Sequence, residues 1–94
     1  MTKKNFVNCS NHASSAWSTA QKAAAEVYGE IVDVKFPVVP GDPLADLNPL
    51  VDETFDKIMA YHPVAMMLAG EPVVVARLLR RLQEADVTVF AAVT

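Results

Sequence analysis

The strongest constraint on this chain is an alternation: four short apolar runs are separated by three longer stretches, each of which opens with a helix-start signal. The runs are Lys4 to Cys9, led by Asn5-Phe-Val, then Ile31 to Phe36, Val64 to Ala69 and Val87 to Val93. Ser18-Thr-Ala-Gln21 has the spacing of a capping box, in which the serine hydroxyl accepts from the glutamine amide and the glutamine side chain reaches back. Asn48-Pro49 pairs a capping asparagine with a proline whose missing N–H costs nothing in a first turn, and Gly70-Glu71-Pro72 repeats the device. Beyond Asn48, Leu50, Val51, Phe55, Ile58 and Met59 recur at helical spacing, and Asp52, Glu53, Asp56 and Lys57 fill the wet side. The last helix is expected to turn Val73, Leu78, Leu79 and Leu82 inward and Arg77, Arg80, Arg81 and Glu84 outward. The first, rich in alanine, is expected to stop at Gly29 in the left-handed conformation, and the second before His62-Pro63, with His62 as its terminator.

Strands that alternate with helices of this length form parallel crossovers, so the reading is an α/β fold with a four-stranded parallel sheet and three helices. All 94 residues make one domain, 1–94. The expected strand order is 2-1-3-4. Ile31 to Phe36 alternates, with Asp33 on the poorly buried side, which suits a sheet edge; Val64 to Ala69 is apolar throughout, which suits a strand covered on both faces. Pro37, Pro40, Gly41 and Pro43 then form a loop that cannot extend the ladder. In the order 2-1-3-4 the winding reverses between the first and third strands, and open parallel sheets bind ligands beyond the carboxyl ends of their strands at such a reversal. Two loops meet there, Ser10 to Trp17 and Gly70-Glu71-Pro72, and Thr94 lies at the same mouth.

Charge and cysteine content exclude several functions. A net charge of −3 argues against a general binder of double-stranded nucleic acid, which needs a basic face to displace counterions. It leaves room for a small anion held by backbone amides. The single cysteine, Cys9, excludes an internal disulfide and a cysteine-rich zinc site. No run reaches the ~18 apolar residues of a membrane helix, and the start leads straight into a strand, so the expectation is a cytoplasmic chain without membrane contact. Neither a metal nor a cofactor is expected.

The residues able to do chemistry cluster in "CSNHASSAWSTAQ". His12 lies mid-loop, and histidine is the side chain whose charge changes near neutrality, so it is a candidate general acid. Ser10, Asn11, Ser14 and Ser15 are neutral donors suited to phosphate or ribose oxygens; the structural alternative is a loop that satisfies its own backbone through serine and asparagine turns. Trp17 is either a hydrophobic staple against Lys22 or Ala23 or a stacking face for a base. Glu71, at a helix opening, is favoured by the helix dipole and could also orient a ribose hydroxyl. Arg77 is the member of the arginine run nearest the crevice.

Three resemblances follow from these residues. A cysteine, five residues, then arginine marks the phosphatase loop; here Ser15 stands where the arginine belongs. In size, sheet order and the stretch "KKNFVNCSNHASS" the chain resembles sugar-transport IIB components, in which a strand-end cysteine accepts a phosphoryl group; the competing reading of Cys9 is a buried core thiol. Across its whole length, in "NCSNHASSAWSTAQ", "GEIVDVKFPVVP", "LAGEP" and "VFAAVT", it resembles the small Rossmann-like proteins of type III CRISPR systems related to CARF domains. That resemblance implies a homodimer binding cyclic oligoadenylate across its two-fold axis and, in several members, slow metal-independent cleavage of the ring. It would make His12 and Ser10 the catalytic pair, with Asn11, Ser14, Ser15, Trp17, Gly70, Glu71, Arg77 and Thr94 binding the ligand. A non-catalytic interaction subunit, in which the crevice loops only cap helices, is the third class of function.

Overall fold

A computed structural model describes residues 4–93. The elements follow the expected order: β1 (Asn5–Ser10), α1 (Thr19–Glu26), β2 (Glu30–Lys35), α2 (Asn48–Met59), β3 (Pro63–Gly70), α3 (Pro72–Glu84) and β4 (Thr88–Val93). All pairings are parallel and the order is β2-β1-β3-β4. Among the described residues no helix is long and apolar enough to cross a membrane.

Strand periodicity sends alternate residues to opposite faces, and the two faces are covered unequally. On one, Val7, Cys9, Met66 and Leu68 of the central strands meet Val51 and Ile58 of α2 and Val74, Leu78 and Leu82 of α3, all buried. Each such leucine or isoleucine removed from water contributes roughly 1.5–3 kcal/mol, so this side holds most of the stability. The other face carries a small cluster of Phe6, Ala25 and Ala65, with Trp17, Ile31 and Met67 packed around it. Of the residues in α1 only Ala25 is buried. An alanine-rich helix has little side chain with which to cover a sheet.

Several local expectations change. β3 is not sealed on both sides: Val64 is exposed, and Met67 and Ala69 are only half-buried. Val73 is 45 % exposed, because the inward stripe of α3 runs through Val74, Val75, Leu78 and Leu82, one step around the helix. α1 ends at Glu26, and Gly29 is not left-handed. Glycine is required at 29 for another reason: a Cβ there would stand 2.5 Å from the Lys4 carbonyl oxygen, the atom that accepts from Glu30 N–H as the β1–β2 ladder begins. His62 does take a left-handed φ, 47°, and its N–H donates to Met59 O to close α2. Asn48 is not the cap of that helix. Asp46 Oδ1 accepts from Asn48 N–H at 3.0 Å and Leu47 occupies the cap position, so a local aspartate turn has taken the donor first.

Candidate functional site

The parallel register sets Cys9 beside Leu68, so β1 and β3 deliver their following loops to the same end of adjacent strands. His12, two residues past β1, and Glu71, immediately past β3, therefore lie at one rim of the sheet. Loop 11–17 owes its shape to a buried amide. Asn8 is 1 % exposed; its Nδ2 donates to His12 O at 2.8 Å and to Asp33 Oδ1 at 3.0 Å, and its Oδ1 accepts from the Ser10 hydroxyl at 2.9 Å. The Ser10 hydroxyl also lies 2.9 Å from His12 O and accepts from His12 N–H at 3.2 Å. Asp33, reaching over from β2, accepts from Ser14 N–H and from the Ser14 hydroxyl, both at 3.1 Å, and so fastens the short 3-10 turn Ser14–Ala16.

Ser10 and Ser14 are thus engaged within the loop, while Asn11, His12 and Ser15 stand exposed on its outer surface. Asn8 and Asp33 escaped the sequence reading. Asn8 was hidden inside an apolar run, where an uncharged amide in a strand was the available signal; Asp33 looked like the wet side of an edge. Next to them lies a concavity of about 330 Å³, lined among others by Asn11, Asp33 and Lys35. It opens between the ends of β1 and β2, beside the expected reversal, and Lys35 is the cation in its wall. Among the described residues no buried side-chain polar atom lacks a partner, and no three metal-ligating side chains gather.

The second loop is equally well satisfied. Glu71 caps α3: its two carboxylate oxygens accept from Val73 N–H at 3.0 Å and Val74 N–H at 2.9 Å. Those two bonds, first Val73 and then Val74, hold its pKa below the ordinary carboxylate value, with Arg77 adding a smaller pull. Gly70 is buried under the ring of Phe36, three of whose atoms would lie 2.6–2.7 Å from a Cβ. Arg77 turns to α2, its Nη1 donating to Asn48 Oδ1 at 3.2 Å. Trp17 packs edge-on against Phe6, centroids 6.4 Å apart, on the α1 face. The expected capping box at Ser18 and Gln21 is present in full. Thr94 lies outside the described residues. Cys9 faces the core between the sheet and α2 and α3, and burial pushes its thiol up to about 11.

These features define a class: an open parallel α/β domain with a polar crevice at the strand ends and with α1 and α3 capped by the side chains of Ser18 and Glu71. The chain belongs to the uncharacterized protein MJ1673 family, whose model matches residues 4–94. No curated protein and no solved structure matches it.

Proposed function

We propose that this domain binds a cyclic oligoadenylate at the strand-end crevice, two copies sharing one ring, in the antiviral signalling of type III CRISPR systems. The observation that carries the reading is the convergence of loop 11–17 and turn 70–71 on adjacent parallel strands at a reversal of winding. Asn11 and Ser15 are the exposed neutral donors for phosphate oxygens, and Lys35 supplies positive charge in the neighbouring concavity. Ser10, Ser14 and Asp33 act one step back, holding the loop in shape.

Ring opening would proceed by attack of a ribose 2′-hydroxyl on its neighbouring phosphorus, with the phosphorus–5′-oxygen bond breaking. His12 would deliver a proton to the departing oxygen, and the 2′-hydroxyl proton would pass to water. A second reading, a non-catalytic interaction subunit, is favoured by one observation: the Ser10, Ser14, Ser18 and Glu71 side chains all serve their own loops and helix ends.

Melting the protein in the presence of cyclic tetra-adenylate and cyclic hexa-adenylate separates the two. At a hundredfold excess over its dissociation constant the bound ring should stabilise the fold by roughly 2.7 kcal/mol. His12→Ala should keep that shift and lose any ring opening. A melting temperature indifferent to both rings would leave the interaction subunit as the function.

A further inference from the structure

The sheet face that carries α1 changes character along its strands. Alternate residues of a strand share a face, so the residues that belong to it are Phe6, Asn8 and Ser10 on β1 and Ile31, Asp33 and Lys35 on β2. Phe6 and Ile31 lie in the small apolar cluster with Ala25. Beyond them the register sets Asn8 beside Asp33 and Ser10 beside Lys35, a two-by-two polar block at the carboxyl ends of adjacent strands. Strands inside a parallel sheet are ordinarily apolar throughout, so this block departs from what the fold alone requires. The concavity of about 330 Å³ is lined by all four of these residues, with Asn11 on its loop side.

Most of this polarity serves loop 11–17, and what is left over is specific. Asp33 Oδ1 accepts twice, from Asn8 Nδ2 and from Ser14 N–H, while Oδ2 accepts once, from the Ser14 hydroxyl. A carboxylate offers about four acceptor positions, so one remains, on Oδ2. Lys35 stands two residues further on the same side of β2, and among the described residues its ammonium enters no hydrogen bond and no ion pair. Asp33 likewise makes no ion pair there. The two opposite charges do not meet: successive same-face positions of a strand lie about 7 Å apart, which leaves a slot between them.

We propose that this slot binds a sugar phosphate, with Lys35 on the phosphate and Asp33 Oδ2 accepting from one sugar hydroxyl. The unpaired ammonium calls for an anion. The single acceptor position on Asp33 suits a hydroxyl, which brings one donor; the ammonium of an amino acid brings three and would leave two unmet. An α-hydroxy acid carries its hydroxyl and carboxylate on neighbouring carbons, too close together to reach both charges, whereas a sugar phosphate keeps a ring between them. The concavity stands at the small end of ligand clefts, which run from about 300 to 1,000 Å³, and so suits a pentose with one phosphate. Asn11, exposed at the rim, adds a neutral donor for the phosphate. The inference rests on the crevice reading above and narrows it, since each unit of a cyclic oligoadenylate is a ribose phosphate and the slot would seat one of them.

Titration of the full chain with ribose 5-phosphate, and separately with inorganic phosphate, followed by amide NMR, tests it. In the unaltered protein ribose 5-phosphate should shift the amides of residues 33–35 and 10–14 saturably and bind more tightly than phosphate, a result that needs no variant to fold. Lys35→Gln should weaken both probes at least ~10-fold. Asp33→Asn should cut the preference for ribose 5-phosphate over phosphate by about tenfold and leave phosphate bound at least as well. Arg80→Gln, on α3 beside Glu84, should change neither. No saturable binding up to about 10 mM, shifts centred away from residues 33–35, or affinity indifferent to Lys35→Gln overturns the site. Equal affinity for the two probes, untouched by Asp33→Asn, leaves an anion site without sugar recognition and overturns the assignment. Ribose 5-phosphate bound in the slot while cyclic tetra-adenylate and hexa-adenylate fail to bind sinks the ring reading alone; a ring bound equally well by Asp33→Asn and Lys35→Gln sinks the slot alone.

Discussion

The two faces of the sheet were built from the same four strands and to opposite ends. Facing α2 and α3, side chains from the sheet and both helices interlock, and Leu68, Leu78 and Ile58 have no solvent exposure at all. Facing α1, one buried alanine meets Phe6 and Ala65, and Trp17, Tyr28, Met67 and Phe90 line an open groove beside them. The first face is a core and the second an unfinished one. A domain that spends its large aliphatic residues on one side holds itself together there.

Five measurements sharpen or break that contrast. The largest effect is expected from Leu78→Ala, about 3–5 kcal/mol lost in urea unfolding, since a fully buried leucine leaves a cavity between α3 and the sheet. Gly70→Ala should come next at about 1–3 kcal/mol, because Phe36 is itself buried and has little room to yield to the new Cβ. On the α1 side, Ser18→Ala removes the hydroxyl that accepts from Gln21 N–H and should lose about 1 kcal/mol in the same assay. Phe90→Ala, at a half-exposed position, should stay below about 1 kcal/mol. If it rivals Leu78→Ala, the two faces are not different in kind.

The smallest effect concerns pH. The folded state lowers the Glu71 pKa below its ordinary 4.5, so the stability it contributes is complete above that value and fades as pH falls through the lower folded one. Glu71→Gln should therefore lose that contribution at neutral pH, flatten the acid limb of the stability curve below about pH 4.5 and converge with the unaltered protein in acid. An acid limb identical in the two proteins would mean that the bonds to Val73 and Val74 N–H do not distinguish the carboxylate from a neutral amide.

Much of this architecture was legible from residues read in order. The capping box at Ser18 and Gln21, the proline opening of α3 and the alternation in β2 are local devices, and local devices act through neighbours a few residues away. The candidate site was legible only in outline. "CSNHASS" announced a polar loop, yet what its hydroxyls do depends on Asp33, nineteen residues beyond Ser14 and on another strand. Gly29 was read as a helix end because glycines often are; its actual partner, the Lys4 carbonyl, is brought close by strand pairing.

Strand and helix identity, the parallel sheet and its order 2-1-3-4 were therefore determined by the sequence itself, since periodicity, caps and crossover length are properties of consecutive residues. Which hydroxyls remain available, why two glycines are needed, and that an apolar groove stays open beside α1 were decided only by tertiary structure. Each depends on distances between segments far apart along the chain, and on the meagre volume of an alanine-rich helix set against a sheet wider than it can cover.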